Sequence, residues 1–145
     1  CGLQRGAPGL STYVIDANTV ISAALKPAGT PQAALSAARA KGAIALSLAV
    51  CQEVAGVLSR PKFTRILTVR RRMETLELLL TKALWVEPVE AVNDCRDAKD
   101  NKYLELALAA SATVIVSGDD DLLVLDPWRG VWILTSAQFV KWAAA

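Results

Sequence analysis

Short apolar, β-branched runs recur along this chain, and a helix-like segment follows almost every one. That alternation restricts the fold more than any other feature. Thr12 to Ile15 (TYVI), Ala43 to Leu48 (AIALSL), Trp85 to Val89, Thr113 to Val116 (TVIV) and Val131 to Leu134 (VWIL) read as five strands. Helical periodicity covers Asn18 to Leu25, Cys51 to Leu58, Met73 to Leu84 and Asn101 to Ala110. Pro31 to Lys41 is Ala-rich and closed by Gly42. Pro61 to Arg71 starts on a proline, and Ser136 can cap a last helix ending near Trp142. Strands alternating with helices predict an α/β fold, a parallel five-stranded sheet with helices on both faces. A chain of 145 residues suits one domain, and 53% hydrophobic against 21% charged residues excludes disorder. No apolar run approaches the roughly 20 residues of a membrane span, and Glu105 interrupts the longest.

The chain contains no histidine. Histidine-based triads, histidine-ligated zinc and the usual near-neutral general base are therefore excluded. Cys1, Cys51 and Cys95 are scattered, with no CxxC pair and no disulfide framework, which fits a reducing, cytoplasmic setting. Cys51 lies in an apolar stretch and is expected in the core. Carboxylates are left to carry chemistry.

Ligands of open parallel sheets bind beyond the carboxyl ends of the strands. Asp16 directly follows the first strand, and Ser117, Gly118 and Asp119 to Asp121 follow the fourth. Glu53 sits early in the helix after the second strand, and Asp97 and Asp100 end the loop before the fourth-strand helix. A parallel sheet would gather these acids along one rim. Crowded carboxylates repel one another unless a cation intervenes, and hard oxygen ligands suit Mg²⁺ or Mn²⁺. Such an ion activates water and neutralises charge on a phosphodiester without histidine. Each acid taken alone also reads as a cap, a turn or an ordinary surface residue.

The string Val14-Ile15-Asp16-Ala17-Asn18-Thr19-Val20 resembles the opening of PIN-domain proteins. Arg96-Asp97-Ala98-Lys99-Asp100-Asn101 through Glu105 is similar to their second acidic block, and Ser117-Gly118-Asp119-Asp120-Asp121 to their third. Glu53, followed by Val57-Leu58 and Arg60-Pro61-Lys62-Phe63, is similar to the family's helix with a lone acid. The resemblance covers residues 12–142 and is greatest to the toxin subgroup related to VapC-type toxins. It implies a Mg²⁺- or Mn²⁺-dependent ribonuclease, an RNA substrate, an antitoxin partner and a homodimer. It also implies that Asp16, Glu53, Asp100 and Asp119 form the catalytic metal site. Asn18, Ser117 and Asp121 match accessory positions. Either Asp97 or Asp100 is the direct ligand, with Asp100 favoured because it immediately precedes the helix. Position 98 is Ala where the family often has Pro. Residues 12–145 are then one PIN-like domain, and residues 1–11 a leader read as flexible or appended.

Six of the 16 basic residues, Arg60, Lys62, Arg65, Arg70, Arg71 and Arg72, crowd one short stretch and are candidate RNA contacts. A solvated helical face is the plainer reading of the same run. Met73, Leu76, Leu79, Leu80 and Leu84 make one apolar face, and Phe139 with Trp142 another, which predicts a homodimer or a docked antitoxin. Two alternatives stand beside the nuclease: a non-catalytic PIN-like scaffold, and a HAD-type phosphatase. Asn18 weakens the phosphatase by replacing its second acid.

Overall fold

The computed structural model describes residues 11–145. The leader expectation over residues 1–10 lies outside the described residues, and Ser11 opens the first strand. The strands are β1 (Ser11–Ile15), β2 (Gly42–Leu46), β3 (Leu84–Trp85), β4 (Val114–Val116) and β5 (Trp132–Leu134). Between and after them lie α1 (Ala17–Leu25), α2 (Thr30–Lys41), α3 (Leu48–Leu58), α4 (Pro61–Thr64), α5 (Val69–Leu80), α6 (Asn101–Ala110), α7 (Asp120–Leu123) and α8 (Ser136–Ala144). All strand pairs are parallel, in the order β3-β2-β1-β4-β5. The order reverses between β1 and β4, so their carboxyl ends flank the crevice where such sheets hold ligands.

β1 and β4 are central and fully apolar where they pair: Val14, Ile15, Val114, Ile115 and Val116 are all buried. Tyr13 and Phe139 meet edge to face at 5.1 Å, which seats α8 against the sheet. No helix among the described residues is long and apolar enough to cross a membrane.

Several local expectations shift. Gly42 does not close α2 in a left-handed turn. Its φ is −176°, plain extended backbone, and it begins β2 in register with Ser11. Glycine is needed there because a Cβ would run into the Ser11 carbonyl oxygen. Pro61 to Arg71 is not one helix. α4 ends at Thr64, and Thr68 starts α5 afresh by accepting the Arg71 N–H at 3.1 Å. The helix expected over Met73 to Leu84 therefore begins earlier and stops at Leu80, before Lys82 reverses the chain at φ 60°. β3 is two residues long, because its partner β2 ends at Leu46, opposite Trp85, and Ser47 already caps α3. Thr135, not Ser136, caps α8, with Gln138 closing a reciprocal capping box. Cys51 is half-buried on α3 rather than in the core.

Candidate active site

Asp16 ends β1 and caps α1. Its backbone N–H donates to the Val116 carbonyl at 3.1 Å, so the sheet ladder fixes its height. Its Oδ1 accepts the Thr19 N–H at 2.8 Å, and its Oδ2 accepts the Ser117 hydroxyl at 2.5 Å. Ser117 Oγ in turn accepts the Asp119 N–H at 3.0 Å. One buried hydroxyl thus ties the ends of β1 and β4 together and aims Asp119. Asp119 Oδ1 accepts the Asp121 N–H at 2.9 Å, making it the cap of α7.

Asp100 comes from a different direction, on a short 3₁₀ turn (Ala98–Asp100) that leads into α6. The loop before it is pinned. The Val92 N–H donates to Glu105, the Cys95 N–H to the Asn101 side chain, and the Trp128 indole N–H to Asp94. Asp97 caps the turn through the Lys99 N–H at 3.3 Å. Asp100, by contrast, is buried, and its Oδ2 has no hydrogen-bond partner among the described residues.

Asp16, Glu53, Asp100 and Asp119 line one cavity of about 160 Å³, together with Asn18, Arg60, Lys99 and Tyr103. Asp97 and Asp121 are not among its lining residues. Asp121 pairs with Arg96 at 3.0 Å instead. Of the six candidate RNA-contacting basic residues, Arg60 alone lines the cavity. Arg71 donates to the Ala23 and Ala24 carbonyls at 3.0 and 3.2 Å and to Gln32 and Glu74. Arg70 pairs with Glu74 at 3.3 Å. Lys62 lies over the Phe63 ring, Arg65 is exposed, and Arg72 is half-buried.

The electrostatics match this crowding. Burial pushes the Asp16 carboxyl above its ordinary value, although its hydrogen bonds to Ser117 and Thr19 hold it down. Asp100 is pushed up to about 7 by burial, then by its hydrogen bond with Asp119 and the charges of Asp119 and Asp97. Burial and the bond to Glu53 push the Tyr103 phenol up, so it stays protonated.

Tyr103 and Lys102 carry roles that sequence reading did not assign. The Tyr103 hydroxyl donates to Glu53 Oε1 and accepts the Ala17 N–H at 3.0 Å. Lys102 Nζ lies 3.2 Å from the same Glu53 oxygen. The available signal was spacing: Tyr103 stands three residues after Asp100, on the same helix face.

The donor set fits a hard divalent cation. It is all oxygen, it comes from separate elements around one cavity, and it includes a buried carboxylate oxygen with no partner among the described residues. Among the described residues, no three Asp, Glu or Cys side chains stand close enough to enclose an ion as they are. The reason is visible: Asp16 is turned onto Ser117 and Thr19, and Glu53 onto Tyr103 and Lys102.

A parallel α/β sheet with an acidic cavity at its switch point defines a class, and the comparisons agree. A family model described as PIN domain matches residues 12–121, and the chain belongs to that family. PIN domains are generally nucleases and generally use divalent metal ions. The uncharacterized protein MJ1680 of Methanocaldococcus jannaschii is 30% identical over 114 residues, covering 77% of this chain and 73% of that protein. The crystal structure of PAE2754 from Pyrobaculum aerophilum is similar at a TM-score of 0.57 and 21% identity, covering 96% of this chain and 95% of that one. VapBC2 from Rickettsia felis, solved bound to a DNA fragment from the promoter, matches at a TM-score of 0.54 and 15% identity, covering 84% and 96%. Both likenesses speak to the fold.

Proposed function

We propose that this protein is a cytoplasmic, Mg²⁺- or Mn²⁺-dependent endoribonuclease and the toxin component of a toxin–antitoxin pair. The observation that carries the reading is the convergence of Asp16, Glu53, Asp100 and Asp119 on one small cavity from four separate segments. Asp16, Asp100 and Asp119 would hold the cation, with Glu53 completing the site directly or through water. When bound, the cation supplies charge neutralisation and a water of lowered pKa. The chain's own part is positioning. Ser117 orients both Asp16 and Asp119, and Asn18 and Arg60, which line the cavity, would meet phosphate or ribose. Lys99, also lining the cavity, offers a second positive charge to a phosphate.

The VapBC likeness supports the toxin reading, because the matched chain comes from a complex of that kind. The exposed apolar residues Ile66, Val69 and Met73 support a protein partner or a second copy. The phosphatase alternative has no support left once the chain is placed in the PIN family.

The test is cleavage of single-stranded RNA by purified protein in Mn²⁺ and in EDTA. Asp16→Asn is nearly isosteric and still caps α1, yet removes a charged ligand. Its rate should fall on the order of 10²-fold, by analogy with losing one preorganised electrostatic group. Asp120→Asn, on an exposed side chain, should cleave at the parental rate. Equal cleavage by Asp16→Asn and the parent would leave the scaffold as the better reading.

A further inference from the structure

We propose that Tyr103 is a positioning residue: it holds Glu53 by one carboxylate oxygen and leaves the other to face the acidic cavity. The inference rests on the metal-dependent reading above. The ring of Tyr103 is buried on α6, and its hydroxyl sits where the start of α1 meets α3. The Ala17 N–H is a first-turn donor with no partner inside its own helix. The Tyr103 oxygen accepts it at 3.0 Å. That bond fixes the direction of the next one, because the phenol proton is then free to point only toward Glu53 Oε1. Lys102 converges on the same oxygen at 3.2 Å. Glu53 Oε2 accepts no hydrogen bond among the described residues, although Glu53 lines the cavity.

Glu53 reaches the cavity on three rotatable bonds from a helix that supplies none of the other acids. Without Tyr103 it is tethered only by a lysine, itself flexible. Residues that orient a metal ligand through a second hydrogen bond typically cost about 10–100-fold in metal affinity when removed. A merely structural tie would lower stability and leave affinity unchanged, so the two roles separate experimentally.

The experiment measures Mn²⁺ dissociation constants by electron paramagnetic resonance of the free ion, beside metal-free melting temperatures, on the full chain. Tyr103→Phe keeps the buried ring and removes the hydroxyl. It should bind Mn²⁺ about tenfold more weakly than the parent. In the Glu53→Gln background the same substitution should change affinity no further, because the carboxylate it orients is gone. Glu53→Asp, which shortens the reach to Tyr103 without touching the core, should show a similar loss and serves should Tyr103→Phe not fold. Parental Mn²⁺ affinity in Tyr103→Phe, or in Glu53→Asp where only that variant folds, overturns the inference. So does a Tyr103→Phe effect that persists undiminished in the Glu53→Gln background. A parent that binds no Mn²⁺ at all overturns the nuclease reading first, and the positioning role with it.

Discussion

The surroundings of Asp100 favour its protonated form. The residue is buried against Asp119 with one oxygen unpartnered among the described residues, so its proton is held up to about 7 against an ordinary 3.8. Between those values the folded chain binds more protons at this site than the unfolded chain does. Stability of the metal-free protein should therefore fall as pH rises from about 4 to about 7. Thermal melts across that range in EDTA should show the decline, and Asp100→Asn should flatten it. Mn²⁺ should also flatten it, because binding to the folded state alone stabilises by mass action. A parental curve in EDTA that rises steadily from pH 4 to 7 would contradict the crowding drawn from the geometry. Asp16 is pushed in the same direction, so the Asn variant there should be as stable as the parent or slightly more so.

Two elements depend on single residues whose roles sequence reading placed elsewhere. Gly42 allows β2 to pass close against Ser11, so Gly42→Ala should cost about 1–3 kcal/mol as an overpacked contact at the sheet. A urea midpoint would read that loss, and an unchanged midpoint would mean that β1 can shift to make room. Arg71, one of the six candidate RNA contacts, is tied instead to the last carbonyls of α1. Those groups have no partner inside the helix, and a cation suits that end of the helix dipole. Arg71→Met should lower stability by about 1–3 kcal/mol, whereas Arg65→Met, on an exposed residue, should leave it within about 0.5 kcal/mol. If nucleic-acid affinity falls more for Arg71→Met than for Arg60→Met, the division between Arg60 and the rest of the basic stretch is wrong. Arg39 acts as Arg71 does, donating to the Leu78 carbonyl at 2.7 Å near the end of α5.

At the scale of the molecule, the apolar faces divide unequally. Phe139 is buried against Tyr13, so that part of the α8 face is consumed by the core, while Trp142 on the same helix stays exposed. On α5 Leu79 is buried, whereas Val69, Met73 and Leu80 stay exposed at spacings of four and seven residues, with Ile66 exposed in the turn before them. That row predicts association: light scattering should report a species of twice 15.4 kDa, and Met73→Lys should return it to the monomer. A monomer at high concentration would leave the row to a different protein.

The sequence alone carried the layer architecture, because apolar runs too short for helices and too continuous for a solvated sheet admit few arrangements. It carried the acidic residues as a set, since acids after several strands of a histidine-free chain point together to oxygen-ligand chemistry, although each alone reads as a cap or a turn. Periodicity could not say which of them meet. Asp100 enters the cavity and Asp97 caps the turn because of the loop pinned by Glu105, Asn101 and Trp128, partners distant in sequence or hidden in side-chain geometry. Ser117 joins Asp16 across 101 residues, and Tyr103 joins Ala17 across 86 and Glu53 across 50. Hydrogen bonds of that span exist only once β1 and β4 lie side by side. Local propensity acts over a few residues, while the site is made where distant segments share one sheet edge.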